Sequence, residues 1–384
     1  TRPYAGDTFT RVAAALDERV PPWTAMHREA CMATRARGGS AAALMDLRMQ
    51  CLDRRLAELR ALTTLFAART DAEIVDRAIS AEIELPNLTR CADEATLLAA
   101  YPPPDDPSMR AQVEALRIRV DQVATLELAG KYADGLALAT PVADEAARVG
   151  WPPIHAQALY WLGMFQWHTG AAAASEATFE RAMKRAAEAR DDALFLRAGT
   201  QQIYVLGYDL GRAEDALDLG EVLDPLVSRA GDDPETRASL LARVGIVLWR
   251  TGAYDQAREH FTQALPLYER ALGPDSPEIA RVHSNLGNVY FAQGRDDDAG
   301  RHYVEAIEIF ERTLGAQHPR AAITRSNLGA VLMRQHRYRE AQASLEAALA
   351  VFESVYGRGH LQVAGVLDGL ADLYNERGEF ARAL

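Results

Sequence analysis

Residues 278–319 and 320–361 align without a gap over 42 residues. This self-similarity constrains the chain more than any other feature. A unit of that length is one supersecondary hairpin, which buries its apolar face only by stacking on the next copy. Leu286, Leu328 and Leu370 coincide, followed by Gly287, Gly329 and Ala371, then by Ala299, Ala341 and Ala383. The preceding copy fits through Val244, Gly245, Gly252, Tyr254, Ala257, Phe261 and Ala264. Upstream, Gly130, Gly170, Gly211, Gly252, Gly294 and Gly378 recur in steps of 40 to 42 residues once His336 fills the one vacant slot, which makes seven units. The unit at Gly170 keeps Leu162, Gly163, Phe179 and Ala182 in register, and those at Gly130 and Gly211 are more degenerate.

Each unit reads as a helix, a tight turn and a second antiparallel helix. Small residues such as Gly287 and Ala299 belong where the two helices approach closely, with Leu286, Tyr290 and Tyr303 filling the space between them. Gly294 and its equivalents close the first helix, because a left-handed residue costs least without a Cβ. Ser276-Pro277-Glu278 supplies an N-cap and a proline at the first helical position of the next unit.

The pattern L-G-x-x-Y…G-x-Y-x-x-A-x-x-x-F-x-x-A resembles the tetratricopeptide repeat (TPR), and the 42-residue period with its G-P-D-S-P or G-A-Q-H-P link resembles the kinesin-light-chain variant. The resemblance covers residues 111–384. It implies an all-α fold, a right-handed superhelical solenoid of antiparallel helix pairs that binds a protein or peptide on its concave face. By match to the family pattern, that face includes Arg243, Trp249, Arg250, Ser284, Asn285, Asn288, Phe291, Ser326, Asn327 and Arg334. Asparagine suits such a face because its amide both donates to and accepts from a peptide backbone. The alternative for any one of them is plain solvated surface.

Residues 1–100 form a different, small helical domain or cap, closed by the proline-rich boundary 101–110, which cannot continue a helix. Leu44, Leu47, Cys51, Leu52, Leu56, Leu59, Leu62 and Phe66 recur at three- and four-residue steps, marking one long amphipathic helix. Gly38-Gly39-Ser40 turns the chain into it from a helix carrying Trp23, Met26, Ala30 and Cys31, and Thr70-Asp71-Ala72-Glu73 has a capping-box pattern. Residues 23–34 (WTAMHREACMAT) and 44–56 (LMDLRMQCLDRRL) resemble the segment between a membrane anchor and a TPR array in large serine/threonine protein kinases of myxobacteria and related bacteria. That resemblance implies a parent with a kinase domain and a membrane span upstream of Thr1, and an extracytoplasmic place for these residues. The rival expectation is a stand-alone cytoplasmic TPR regulator or adaptor. A start at Thr1 and an end at Leu384 inside an unfinished helix read as a fragment.

Composition narrows the chemistry. A formal charge of −12 argues against nucleic acid and anionic membranes, which need a positive field. No apolar stretch approaches the roughly 20 residues of a membrane span, since Arg or Asp interrupts every candidate. Kinase catalysis needs a Gly-rich loop, a strand lysine, a catalytic-loop Asp with its Asn and a metal-binding Asp, none of which is present. His27-Arg28-Glu29 echoes the catalytic loop with Glu in place of Asp. No enzymatic activity and no cofactor are expected of this segment. His27 and Cys31 stand one helical turn apart with Cys51 on the next helix, but a structural metal needs a fourth ligand that is not evident, so no metal site is assigned. The thiols read either as small buried hydrophobes or as a disulfide. In the oxidising setting that the kinase resemblance implies, Cys31 and Cys51, on adjacent antiparallel helices, are the expected bridge, with Cys91 left over. Tyr160, Trp161, Phe165 and Trp167 read as solenoid core, and the Asn87-Leu88-Thr89 sequon as a chance match.

Overall fold

The computed structural model describes residues 5–34, 40–68, 71–83, 85, 88–94, 97 and 101–383, and among these every regular element is helical. Gly38-Gly39, Thr70, Asn87 and Leu384 lie outside the described residues. Helices α1 (Ala5–Thr34), α2 (Ser40–Ala68) and α3 (Ala72–Ile83) precede a 3-10 turn at Leu88–Cys91. Ala30, Leu52 and Cys91 form one apolar cluster with Trp23 and Met26 against it. The Trp23 indole N–H donates to the Leu52 carbonyl at 2.8 Å. Leu62, Ala81 and Leu85 form a second cluster that Leu16, Phe66 and Leu128 complete.

The disulfide joins Cys51 to Cys91, with Cα atoms 5.5 Å apart. This corrects the expected Cys31–Cys51 pairing: Cys31 is the exposed thiol left over. The reason is tertiary. The 3-10 turn returns to α2, where Arg48 donates from Nε to the Cys91 carbonyl (3.2 Å) and from Nη2 to the Ala92 carbonyl (3.3 Å). Those contacts bring a cysteine 40 residues away into bonding range.

The repeats follow as α4 (Pro107–Leu128) and α5 (Tyr132–Val149), α6 (Pro152–His168) and α7 (Ala172–Glu188), α8 (Asp192–Tyr204) and α9 (Ala213–Arg229), α10 (Pro234–Arg250) and α11 (Tyr254–Leu272), α12 (Pro277–Ala292) and α13 (Asp296–Leu314), α14 (Pro319–Arg334) and α15 (Tyr338–Tyr356), α16 (Leu361–Glu376) and α17 (Phe380–Ala383). The chain divides into two compact bodies, residues 5–205 and 206–384, so that α8 and α9 fall in different bodies. A π-helical turn at Val205–Asp209 adds a residue to the first helix of the third unit, which accounts for its degenerate sequence pattern.

Local chemistry sets the boundaries. Asp106, Asp233 and Ser276 cap α4, α10 and α12 through their side-chain oxygens. At the position equivalent to Ser276, His318 and His360 do the same with Nδ1, accepting from Arg320 N–H (3.1 Å) and Gln362 N–H (3.2 Å). The turn residue is left-handed in all seven units, with φ of 74° at Gly294 and 58° at His336. His336, which must bear a Cβ there, is steadied by its Nδ1 contact with the Tyr338 hydroxyl at 2.8 Å.

Helix pairs close on a small-residue seam. A Cβ added at Gly287 would stand 2.5 Å from the Tyr303 ring, one at Gly245 2.9 Å from Phe261, and one at Gly163 2.8 Å from Phe179. Ala257, Ala299 and Ala341 are fully buried on the facing helices. Gly287→Ala should therefore cost about 1–3 kcal/mol, the usual penalty of overpacking a rigid core, read as a lower denaturation midpoint. A thiol assay under denaturing, non-reducing conditions should find one reactive thiol, Cys31, rising to three after reduction; three before reduction would refute the bridge.

Candidate ligand-binding face

In the second body the first helices of successive units, α10, α12 and α14, stand side by side. The 42-residue register stacks their side chains in columns: Arg243, Asn285 and Asn327 share one, Ser284 and Ser326 a second, Trp249 and Phe291 a third, Arg250 and Arg334 a fourth. The columns do not behave uniformly.

Five of the ten expected face residues are engaged in joining repeats. The Asn288 Oδ1 accepts from the Tyr303 hydroxyl at 2.7 Å and from the Asn327 amide at 3.3 Å. Ser284 bonds Thr324 at 3.0 Å; Thr324 already donates to the Arg320 carbonyl, so Ser284 is the donor. Arg334 lies 3.8 Å above the Phe291 ring, donates to the Phe291 carbonyl at 3.0 Å and pairs with Asp296. These contacts fix the spacing of α12 and α14.

Asn285 differs because the residue that would receive its amide, by the register that gives Asn327 its partner Asn288, is Ile246. Its side chain makes no hydrogen bond among the described residues, nor does that of Ser326. The Trp249 indole N–H is likewise buried without an acceptor. Arg250 is exposed and lies 4.6 Å above Tyr208. Arg243 belongs to a cationic group that the sequence reading did not assemble. Burial alone would raise the Glu278 pKa, yet Arg281, Arg320 and Arg243 around it hold that carboxyl below its ordinary range. Arg281 and Arg320 sit near the starts of their helices, and the repeat register was the signal that could have found them.

The first body presents aromatics on the equivalent helices. Tyr160 and Phe165 are buried core, in line with the sequence reading, whereas Trp161 and Trp167 are only half-buried. Arg197 on α8 lies 4.2 Å above Tyr160 and 5.5 Å from Trp161. Trp167 meets Tyr204 edge to face at 5.5 Å. Helix α2 packs against α4 in this body. There Glu58 pairs with Arg55 at 3.0 Å, while its Oε2 is buried with no partner.

No group of three or more His, Cys, Asp or Glu among the described residues is arranged to hold a metal. Cys31 Sγ and His27 Nδ1 are 4.0 Å apart, and Cys51 is committed to its disulfide. His27-Arg28-Glu29 lies within α1. No described helix is long and apolar enough to cross a membrane.

An all-helical scaffold of stacked hairpins is thus the class these elements define. Residues 128–193 and, in overlapping segments, 236–384 match the family Tetratricopeptide repeat, together more than half of the chain. The chain belongs to the tetratricopeptide-repeat family. Among solved structures it is similar to the apo form of the quorum sensor NprR from B. thuringiensis, at 15% identity over 97% of this chain and 95% of that one, with a TM-score of 0.56. It is also similar to the Rap conjugation gene regulator of the plasmid pLS20 in complex with the Phr* peptide, at 14% identity over 88% and 90%, with a TM-score of 0.52. RapI in its apo form aligns at 13% identity over 70% and 93%, with a TM-score of 0.55. No curated protein matches the sequence.

Burial pushes the Glu58 carboxyl up from its ordinary 4.5 to about 7, Asp121 adding to the rise and Arg55 opposing it. A carboxyl that binds its proton more tightly in the folded state gives stability that is present at low pH and lost as pH rises through that window. Thermal stability should therefore fall between about pH 4.5 and 7 through this group. Glu58→Gln, which keeps the shape and removes the charge, should flatten that dependence and gain on the order of 1–3 kcal/mol at pH 8. Parallel melts of the two proteins across the range provide the check.

Proposed function

We propose that this scaffold binds an extended protein or peptide segment along the α10–α12–α14 face, with Asn285 as its backbone-reading residue. The observation that carries the reading is the asymmetry within one column. Asn327 is engaged by Asn288, whereas the register places Ile246 opposite Asn285, which keeps both a donor and an acceptor available. Ser326 on the neighbouring helix makes no hydrogen bond among the described residues, and Arg243 and Arg250 add charge at the near end. A rigid ladder with a few unmade hydrogen bonds is organised for a ligand, since the groups around those atoms are already fixed. The Rap conjugation gene regulator of similar fold was solved in complex with the Phr* peptide, which supports this reading.

The finer reading is that the scaffold is the interaction and sensory part of a bacterial serine/threonine protein kinase. The resemblance of residues 23–34 and 44–56 supports it, and the Cys51–Cys91 disulfide favours an oxidising, extracytoplasmic setting. A stand-alone cytoplasmic regulator is the alternative. The reading frame upstream of Thr1 distinguishes them: a kinase domain followed by a membrane span supports the first, a nearby start codon the second.

The binding face is tested with a peptide selected from a display library on the wild-type protein. Asn285→Ala should leave the melting temperature unchanged or slightly higher, because Ala is the better helix former, and weaken binding by roughly 1–3 kcal/mol. Asn288→Ala should lower the melting temperature, since the Tyr303 hydroxyl and the Asn327 amide lose their common acceptor. Unchanged affinity in Asn285→Ala, with calorimetry as the readout, would remove this face from the mechanism.

A further inference from the structure

His283 on α12 and His302 on α13 bring Nδ1 to Nδ1 at 2.9 Å. No other pair of histidines is in such contact among the described residues, and the pair lies between the two helices of one repeat, where the ligand-binding face does not use it. Two neutral imidazoles present lone pairs in the ring plane, so two Nδ1 atoms at this distance need a proton or a metal cation between them. We propose that His283 and His302 form a two-imidazole site for a tetragonal divalent transition-metal ion, Cu²⁺ first and Ni²⁺ second, which clips α12 to α13.

The spacing fits a tetragonal ion. Two nitrogens each about 2.0–2.1 Å from a metal lie about 2.9 Å apart when they subtend about 90°, as in square-planar or tetragonal coordination, and about 3.3 Å apart at a tetrahedral angle. The observed 2.9 Å fits the tetragonal value and is equally the length of an N–H···N hydrogen bond. Imidazole is a favoured ligand of Cu²⁺ and Ni²⁺, and Cu²⁺ binds most tightly of the first-row divalent ions. The rings are also held in place. Tyr290 stacks on His302 at 5.2 Å with 11° between planes, and Arg295 lies 4.5 Å from the Tyr290 ring centroid.

The ion's competitor is the neutral N–H···N hydrogen bond, in which one ring carries its proton on Nδ1. Burial holds both imidazoles below their ordinary 6.5, and His283 together with Arg301 pushes His302 further, to about 4. Glu305 and Glu269 near His283 and Asp298 near His302 oppose the shifts and lend negative charge to the locality. Asp298 is itself tied to Arg295 and Arg301, and no third ligand stands in range among the described residues. The remaining coordination positions therefore go to water.

The test is calorimetric titration of the whole chain with Cu²⁺ and with Ni²⁺, beside His283→Gln and His302→Gln, whose folding is verified by circular dichroism. One equivalent of ion should bind to the wild type, at least about tenfold more weakly to either variant, and should raise the melting temperature of the wild type alone. Because other histidines give background uptake, the wild-type Cu²⁺ complex is also examined by electron spin-echo envelope modulation, which needs no variant. Two equatorial imidazoles, each seen through its remote Nε2–H, are expected. A single imidazole, or equal binding by wild type and both variants, would overturn the proposal and leave the pair as an N–H···N hydrogen bond only.

Discussion

Four of the seven repeats depend on one close approach, in which a glycine on the first helix receives an aromatic or leucine side chain from the second. Gly163 against Phe179, Gly245 against Phe261, Gly287 against Tyr303 and Gly329 against Leu345 are the same contact repeated. The ring fills the space a Cβ would occupy, and alanines fully buried on the second helix, such as Ala257, Ala299 and Ala341, complete the seam. Because the contact recurs at fixed spacing, it sets the distance between the helices of a pair and hence where the next pair stacks.

Polar chemistry is layered on that apolar seam. The Tyr303 ring packs on Gly287 while its hydroxyl reaches Asn288, so one residue joins the core contact to the polar ladder. Asn288 then receives the Asn327 amide, which ties one unit to the next. Where the ladder runs out, at Ile246, the amide of Asn285 is left over. Asn285 and Asn327 thus share one column and differ in the residue that the register places beside each.

The turns show the same dependence of role on context. Glycine closes six of the seven first helices, and in the sixth unit His336 adopts the same left-handed backbone with a bond to Tyr338. Histidine serves again as an N-cap at His318 and His360, through Nδ1 in the position where Ser276 uses a hydroxyl. A residue type alone did not announce these roles; its place in the repeat did.

The sequence by itself determined the period, the helix pairs, the turn positions and the small-residue seam, because these follow from local propensity and from side chains that recur every 40 to 42 residues. It also determined which residues share a face, since register follows from the same repeat. Only the tertiary structure decided which residues on that face are already engaged, because hydrogen bonding between Asn288 and Asn327, or its absence at Asn285, depends on the side chain one repeat away. It likewise decided that Cys51 pairs with Cys91, through a 3-10 turn that α2 grips by Arg48, and that His283 meets His302 across two helices. Spacing along a helix cannot specify such pairs, for the partners belong to different elements and meet only once those elements have packed.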